Sequence, residues 1–177
     1  MQRVAFAGGC FWCVEAVFKR LRGVVSLTSG YAGGRTENPT YYDVVDGNTG
    51  HVEAVELIFD SQIVSFDILL SVFFAFHDPT TLDRQGNDVG AQYRSMIFYT
   101  TEGQKVEAEN FIKKLEKERV FVNKILTEVK ALDKFFKAEE YHQNYYETNP
   151  NQPYCQLTID PKIAKLRAKF SHLLKDV

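Results

Sequence analysis

The chain has 177 residues, 45% of them hydrophobic and 25% charged, a balance typical of a globular protein with one buried core. The formal net charge of −2 argues against a broad nucleic-acid or membrane-binding surface. No apolar run approaches the ~20 residues that span a bilayer, and residues 1–9 lack the long apolar stretch of a signal peptide. Three cysteines, an odd number, do not form a disulfide scaffold. We therefore expect one domain over residues 1–177, located in the reducing cytoplasm.

Strand and helix patterns alternate irregularly along the chain. Alternation over 3–7 predicts a strand that ends at Gly8 and Gly9, and helical spacing follows over 11–21. Further strands are predicted at 24–31, 51–60, 95–100 and 125–130, and further helices at 65–78, 102–119 and 160–177, the last with Asp160 as its cap. The segments 31–50 and 79–94, rich in Gly, Asn, Asp and Pro, are predicted as loops. This order indicates the α+β class, with helices packed on one mixed sheet.

Cys10 and Cys13 stand three residues apart at the predicted strand-to-helix junction. The free N–H groups at a helix N-terminus favour an anion, so Cys10 is predicted to be a reactive thiolate rather than an inert buried cysteine. The C-x-x-C spacing is typical of redox pairs. A zinc site would need two further ligands, and only Cys155 and four scattered histidines remain. We therefore expect no metal.

Glu53 is the second residue with a possible chemical role. In the predicted strand 51–60 it shares one face with Val55, Leu57 and Phe59. If that face is buried, desolvation raises the pKa of Glu53, and its carboxyl group can donate a proton at neutral pH. A carboxylate near a strand end is, taken alone, more often at the surface. Glu56, on the other face, is expected in solvent.

Several aromatic and polar side chains could form a binding site with these residues. Tyr41 and Tyr93, in the predicted loops, each combine an apolar ring with a hydroxyl donor, although loop tyrosines usually only pack. Asp88 could act in the same site or simply cap its own loop. Phe11 and Trp12 belong either to the core or to an aromatic pocket beside the first cysteine.

Five sequence stretches, taken together and in order, resemble the peptide methionine sulfoxide reductase A family over about residues 4–155. They are GGCFWCVEAVF, GYAGGRTENPTYYDV, TGHVEAVEL, HDPTTLDRQGNDVGAQYRSMIFY and AEEYHQNYYETNPNQPYC. The resemblance implies a two-layer α/β sandwich, with a ferredoxin-like mixed sheet, flanking helices and an extensive irregular C-terminal chain. It also implies an enzyme without cofactor that reduces methionine S-sulfoxide, free or in proteins, and so repairs oxidised proteins.

The resemblance further implies roles for the residues singled out above. Cys10 is the nucleophile that becomes a sulfenic acid, and Glu53 protonates the sulfoxide oxygen. Tyr41 and Tyr93 help to hold that oxygen, and Asp88 belongs to the substrate site. The methyl group of the substrate is expected against the two aromatic residues that follow the nucleophile, Phe11 and Trp12. Thioredoxin is the implied reductant, and we expect a monomer.

Recycling of the nucleophile depends on a second thiol. Cys155 matches a recycling cysteine of the family and follows a Pro-rich segment that is predicted to be irregular and mobile, so that it can reach an oxidised partner. Cys13 stands where many members of the family have glycine. Because a bridge within one helical turn can distort the backbone, we predict that Cys155 resolves Cys10 and that Cys13 is a secondary partner.

Two other classes of protein would use part of the same residues. A general thiol-disulfide oxidoreductase needs only the C-x-x-C pair, and a methionine-binding domain needs only the aromatic pocket. The five motifs in order favour the reductase over both.

Overall fold

Most of the strands form one mixed sheet. In the computed structural model, which describes residues 1–176, the strands are β1 (Gln2–Ala7), β2 (Val24–Ala32), β3 (Val52–Phe59), β4 (Arg84–Gln85), β5 (Asp88–Val89), β6 (Met96–Tyr99), β7 (Glu128–Ala131) and β8 (Phe135–Lys137). The sheet has the order β7-β6-β1-β3-β2-β8. Neighbouring strands are antiparallel, except that β6 and β7 are parallel. The short strands β4 and β5 pair in a separate hairpin.

The α-helices within residues 1–176 are α1 (Phe11–Phe18), α2 (Tyr41–Val45), α3 (Phe66–Ala75), α4 (Glu102–Lys117), α5 (Tyr145–Thr148) and α6 (Asp160–Phe170). Three of them, α2, α3 and α4, begin at a residue whose side chain caps the helix. The Ser65 hydroxyl accepts the Ile68 N–H at the start of α3, at 3.2 Å. The Thr101 hydroxyl does the same for the Gln104 N–H at the start of α4. Such caps satisfy N–H groups that have no partner within the helix.

The two faces of the sheet are covered differently. On one face, large side chains such as Phe6, Leu57 and Ile97 form a single core with the apolar sides of α1, α3, α4 and α6. The Phe6 ring stacks on Phe18 of α1, with centroids 5.1 Å apart, and on Phe73 of α3, at 4.9 Å. The opposite face carries four alanines and Val52 together with Met96 and Phe98, and Leu132 and Phe135 pack against it. The α+β prediction and the two-layer arrangement are confirmed.

Three predicted segments differ from the structure. The segment 31–50 contains α2, which begins in a capping box between Thr40 and Asp43. The segment 79–94 contains the β4-β5 hairpin and a 3₁₀ turn at Ala91–Tyr93. The strand predicted at 125–130 forms only from Glu128 onwards. The pattern misplaced these elements because each is too short to show a full helical or strand period.

The last part of the chain is more regular than predicted. A π-helical turn at Cys155–Ile159 leads directly into α6. Cys155 is fully buried in this helical structure, and the expectation that it lies on irregular chain is wrong. Asp160 is the first residue of α6 rather than its cap; its carboxylate accepts the Tyr146 hydroxyl at 2.5 Å.

None of the helices within residues 1–176 combines the length and the hydropathy needed to cross a bilayer.

Candidate active site

The site is built around the first residues of α1. Cys10 is the N-cap residue of this helix and retains 8% of its surface exposed. The turn from β1 requires glycine at position 9, where φ is +91° and a Cβ atom would lie 2.6 Å from the Gln85 side chain. Gly9 therefore lets the β4-β5 hairpin approach the cysteine closely. The N–H groups of Cys13 and Val14 donate to the Cys10 carbonyl oxygen.

Glu53 of β3 lies directly behind Cys10. Its Oε2 accepts the backbone N–H of Phe11 at 3.0 Å, and its side chain is only 2% exposed. Burial raises the pKa of Glu53 to about 8, while the hydrogen bond from Phe11 opposes the shift. At neutral pH most of this carboxyl group is therefore protonated. The face that carries Glu53, Val55, Leu57 and Phe59 is buried, so the surface location that was favoured for Glu53 taken alone is wrong. Glu56, on the other face, lies partly exposed beside Arg3.

The two cysteines of the C-x-x-C pair differ in acidity. Burial raises the pKa of the Cys10 thiol well above its ordinary value, and Cys13 and the Glu53 carboxylate raise it further. Hydrogen bonding from Cys10 lowers the pKa of Cys13. Burial therefore opposes the thiolate that was expected at Cys10, and Cys13 is the more acidic thiol of the pair.

A hydrogen-bonded chain connects Cys13 to the hairpin. The Tyr154 hydroxyl donates to Asp88 Oδ2 at 2.7 Å and lies 3.5 Å from Cys13 Sγ. A phenol has one proton to donate. While Tyr154 donates to Asp88, it can only accept from Cys13; once Cys13 is a thiolate, the hydroxyl can turn and donate to sulfur. Tyr154 therefore connects the substrate-side carboxylate with the second thiol.

An aromatic wall forms the other side of the site. Trp12 stacks on Tyr145, with centroids 3.6 Å apart and the rings inclined by 4°. The Trp12 indole N–H donates to His142 Nδ1 at 3.1 Å. Phe11 is fully buried behind this pair, with its ring centroid 5.0 Å from that of His142. The partly buried Trp12 therefore offers a fixed apolar surface, whereas Phe11 supports it from below.

Tyr41 and Tyr93 supply hydroxyl groups on the side of Glu53. Tyr41 is the first residue of α2, and its N–H donates to Glu139 Oε2 at 3.0 Å. Tyr93 ends the 3₁₀ turn that follows the hairpin. Burial raises the pKa of Tyr41 to about 12, and the charges of Glu53 and Cys10 add to the shift. The pKa of Tyr93 is raised by the same causes. Both hydroxyls remain hydrogen-bond donors at neutral pH.

An open cavity of about 610 Å³ borders the two cysteines. It is lined by residues of α1, the hairpin and the last helical segment, among them Cys10, Cys13, Asp88, Tyr154 and Lys162. Within residues 1–176, no group of three or more His, Cys, Asp or Glu side chains is placed to hold a metal ion.

Sequence reasoning missed the residues that the C-terminal chain contributes. His142 and Tyr145 belong to the aromatic wall beside Trp12, and Tyr154 belongs to the hydrogen-bonded chain between Cys13 and Asp88. Glu139 accepts hydrogen bonds from Tyr31 and Tyr41. The signal was present in the density of aromatic residues over 141–154, which exceeds what a solvated, irregular segment needs. Cys155 lies behind the wall, near enough for the charge of Cys13 to act on its pKa.

The arrangement is typical of a class of protein, the thiol enzymes, with a cysteine at a helix N-terminus close to a buried carboxyl group. The family model for peptide methionine sulfoxide reductase matches residues 2–174. The chain is 56% identical over 176 residues to the peptide methionine sulfoxide reductase MsrA of Acinetobacter baumannii strain SDF, covering 99% of both chains.

Two solved structures extend the comparison. Methionine sulfoxide reductase A of Corynebacterium diphtheriae is 35% identical, with a TM-score of 0.81, and the match covers 85% of this chain and 76% of that one. Mxr1 of Saccharomyces cerevisiae, in complex with Trx2, is 25% identical, with a TM-score of 0.58, and the match covers 81% of this chain and 84% of that one.

The chain belongs to the peptide methionine sulfoxide reductase family. It is an enzyme that reduces methionine sulfoxide.

Proposed function

We propose that the enzyme reduces the S epimer of methionine sulfoxide, free or within proteins, at Cys10. The observation that carries this proposal is the hydrogen bond of 3.0 Å from the Phe11 N–H, which holds the buried acid Glu53 beside the nucleophile. The choice of epimer rests on the MsrA relatives, because one type of reductase serves each sulfoxide epimer.

The chemical step pairs attack by sulfur with protonation of oxygen. Cys10 attacks the sulfoxide sulfur while the S–O bond weakens, and Glu53 gives its proton to the oxygen. The hydroxyls of Tyr41 and Tyr93 donate to the developing charge. In balance, one thiol and one sulfoxide become one sulfenic acid and one thioether, so the oxygen moves to Cys10 and methionine leaves.

Trp12 and Asp88 are proposed to position the substrate. The indole of Trp12 is held between Tyr145 and His142, so that its remaining surface offers a rigid contact for the methyl group and the side chain of the substrate. Asp88 borders the open cavity, where its carboxylate is oriented by the Tyr154 hydroxyl. The cavity of about 610 Å³ suits a side chain that enters from a polypeptide as well as a free amino acid.

The structure supports a different order of recycling from the one predicted. Cys13 lies one helical turn from Cys10, and its N–H donates to the Cys10 carbonyl oxygen at 3.1 Å. Cys155, by contrast, is fully buried in a helical turn, where burial and then the charge of Cys13 raise its pKa. We therefore propose that Cys13 attacks the sulfenic sulfur first and that Cys155 exchanges with Cys13 afterwards.

An external dithiol completes the cycle. Disulfides are reduced by thiolate attack and exchange, and the yeast relative was crystallised with Trx2. We propose a thioredoxin as the reductant and a reducing compartment, the cytoplasm, as the location. A monomer is sufficient, because every group named above belongs to one chain; sedimentation equilibrium measures this.

The test uses the reduced enzyme, each resolved epimer of methionine sulfoxide and no external reductant. We expect release of about one methionine per enzyme from the S epimer in the first turnover, and none from Cys10→Ser. Peptide mapping then identifies the disulfide. Cys155→Ser should still form a Cys10–Cys13 bond, whereas Cys13→Ser should accumulate the sulfenic acid, which dimedone traps. A rapid Cys10–Cys155 bond in Cys13→Ser contradicts the proposed order.

A further inference from the structure

Two lysines of α6 bind the end of α3. The Lys162 ammonium donates to the Phe76 carbonyl oxygen at 2.7 Å, and Lys165 donates to the Ala75 carbonyl oxygen. Both bonds satisfy carbonyl groups at a helix C-terminus, where a positive charge is favourable. The two lysines therefore share one structural function.

Only one of these lysines borders the second thiol. Lys162 lines the open cavity that contains Cys10 and Cys13, and it also lines a smaller cavity beneath Cys13. Lys165 lines neither of these two cavities; it faces a third one beside Phe76 and Val122. The hydrogen bond to Phe76 fixes the ammonium group of Lys162, so its charge acts on Cys13 from a constant position.

The charge of Lys162 is not neutralised by an ion pair. No carboxylate within the described residues 1–176 lies within 4.0 Å of its ammonium nitrogen. The hydrogen bond from Cys10 lowers the pKa of Cys13 most, and the positive charge of Lys162 lowers it further. Burial and the charge of Asp88 act in the opposite direction and raise it. The charge of Lys162 also adds to burial in keeping His77 neutral.

The other groups that face Cys13 do not supply a cation. Tyr154 offers a hydroxyl and His77 a neutral ring, and the remaining neighbours are the acids Glu53 and Asp88 and the thiol of Cys155.

The Cys10 thiol itself donates to Cys13 only in the reduced enzyme, because the chemical step consumes it. When Cys13 must act, Lys162 is the positive charge that remains.

We propose that Lys162 is a positioning residue for recycling, whose fixed ammonium group holds negative charge on the Cys13 sulfur for attack on the oxidised Cys10. This inference rests on the proposed function. In the step concerned, the Cys13 thiolate forms a bond to the Cys10 sulfur and the S–O bond breaks. The hydroxide takes up one proton and leaves as water, so the Cys13 sulfur is oxidised and the Cys10 sulfur is reduced to the disulfide level, and no external reductant is needed.

The expected effect has a characteristic dependence on pH. Loss of a nearby opposite charge raises a pKa by about one unit or more, which lowers the thiolate fraction about tenfold below that pKa. A more basic thiolate is also more nucleophilic, with a Brønsted coefficient of about 0.4–0.5, and this recovers about threefold. Without the charge, disulfide formation should be about threefold slower at low pH and about threefold faster where Cys13 is fully ionised.

The experiment is a stopped-flow series against pH in the Cys155→Ser background, so that only the Cys10–Cys13 bond can form. One equivalent of sulfoxide starts the reaction, and rapid quenching measures the methionine released. The fluorescence of Trp12, the one tryptophan of the chain, reports formation of the disulfide. Lys162→Gln removes the charge but retains a donor for the Phe76 carbonyl, which protects the fold. Lys165→Gln is the matched control, and Lys162→Arg restores the charge.

We expect the rates of Lys162→Gln to cross those of the parent as pH rises, and those of Lys165→Gln and Lys162→Arg to follow the parent. Rates of Lys162→Gln that parallel the parent at every pH, or a crossing that Lys165→Gln reproduces, overturn the inference. If the parent releases no methionine, the proposed function fails first, and if it releases methionine without a disulfide, the order of recycling fails. Either result removes the basis of the Lys162 inference as well.

Discussion

Replacing Glu53 by Gln tests the chemical step directly. Gln keeps the shape and an oxygen for the Phe11 N–H, but it has no proton to transfer. With a pKa of about 8, ~90% of the Glu53 carboxyl group is protonated at pH 7, whereas an ordinary Glu is ~0.3% protonated. Burial therefore makes the protonated fraction ~300 times larger. General acid catalysis contributes about 10²–10⁴-fold. We therefore expect Glu53→Gln to reduce the rate of the first turnover by about 10³-fold.

The assay is the release of methionine in a single turnover without reductant, so that recycling does not contribute. In the parent enzyme, the rate should rise with the thiolate fraction of Cys10 and level off above about pH 8, where Glu53 loses its proton; the rate of Glu53→Gln should continue to rise above pH 8. Glu56→Gln, on the opposite face of the same strand, where the carboxylate is partly exposed beside Arg3, is the control and should retain the parent rate. A rate of Glu53→Gln within about threefold of the parent would refute the assignment of Glu53 as the acid.

Three further predictions follow from the same contacts. Because the folded chain keeps the Glu53 proton between about pH 4.5 and 8 while the unfolded chain loses it, Glu53 costs stability as pH rises through this range. The melting temperature of Glu53→Gln should therefore rise relative to that of the parent from pH 5 to 8. A difference in melting temperature that stays constant over this range would contradict the raised pKa. Tyr154→Phe removes the hydroxyl between Asp88 and Cys13, and we expect slower disulfide formation after a normal amplitude of methionine release, measured by rapid quenching. Trp12→Phe loses the indole bond to His142, worth about 1 kcal/mol, and its loss should appear as a severalfold higher KM for sulfoxide rather than as slower recycling; an unchanged KM would exclude Trp12 from the substrate pocket.

The features of the site that depend on local sequence pattern could be predicted from the sequence. Alternation over β3 places Glu53 on the same face as Val55 and Leu57, and that face is buried. The Gly8-Gly9 pair marks the turn that leads to Cys10. These inferences succeeded because one strand and one turn fix the direction of each side chain, whatever the rest of the chain does.

The sequence could not supply the part of the site that comes from distant chain. The hydrogen bond from Trp12 to His142 joins residues 130 positions apart, and the contact of Cys13 with Tyr154 spans 141 positions. No local period encodes such a pairing. The direction of the Cys10 pKa has a related origin: the helix N-terminus was predicted, but not the burial of the thiol, which raises its pKa most, nor the charge of Glu53, which comes from another strand and adds to the shift.

The long return of the chain to α1 has a consequence for biosynthesis. Cys10 and Cys13 precede the aromatic residues His142, Tyr145 and Tyr154 and the cation of Lys162 by more than a hundred residues, so a ribosome makes the two thiols long before these groups. During that interval the chain holds both thiols of the proposed recycling step without the aromatic side chains that pack around them. Under the proposed function, reduction of sulfoxides therefore begins only after residues 142–154 have packed against α1.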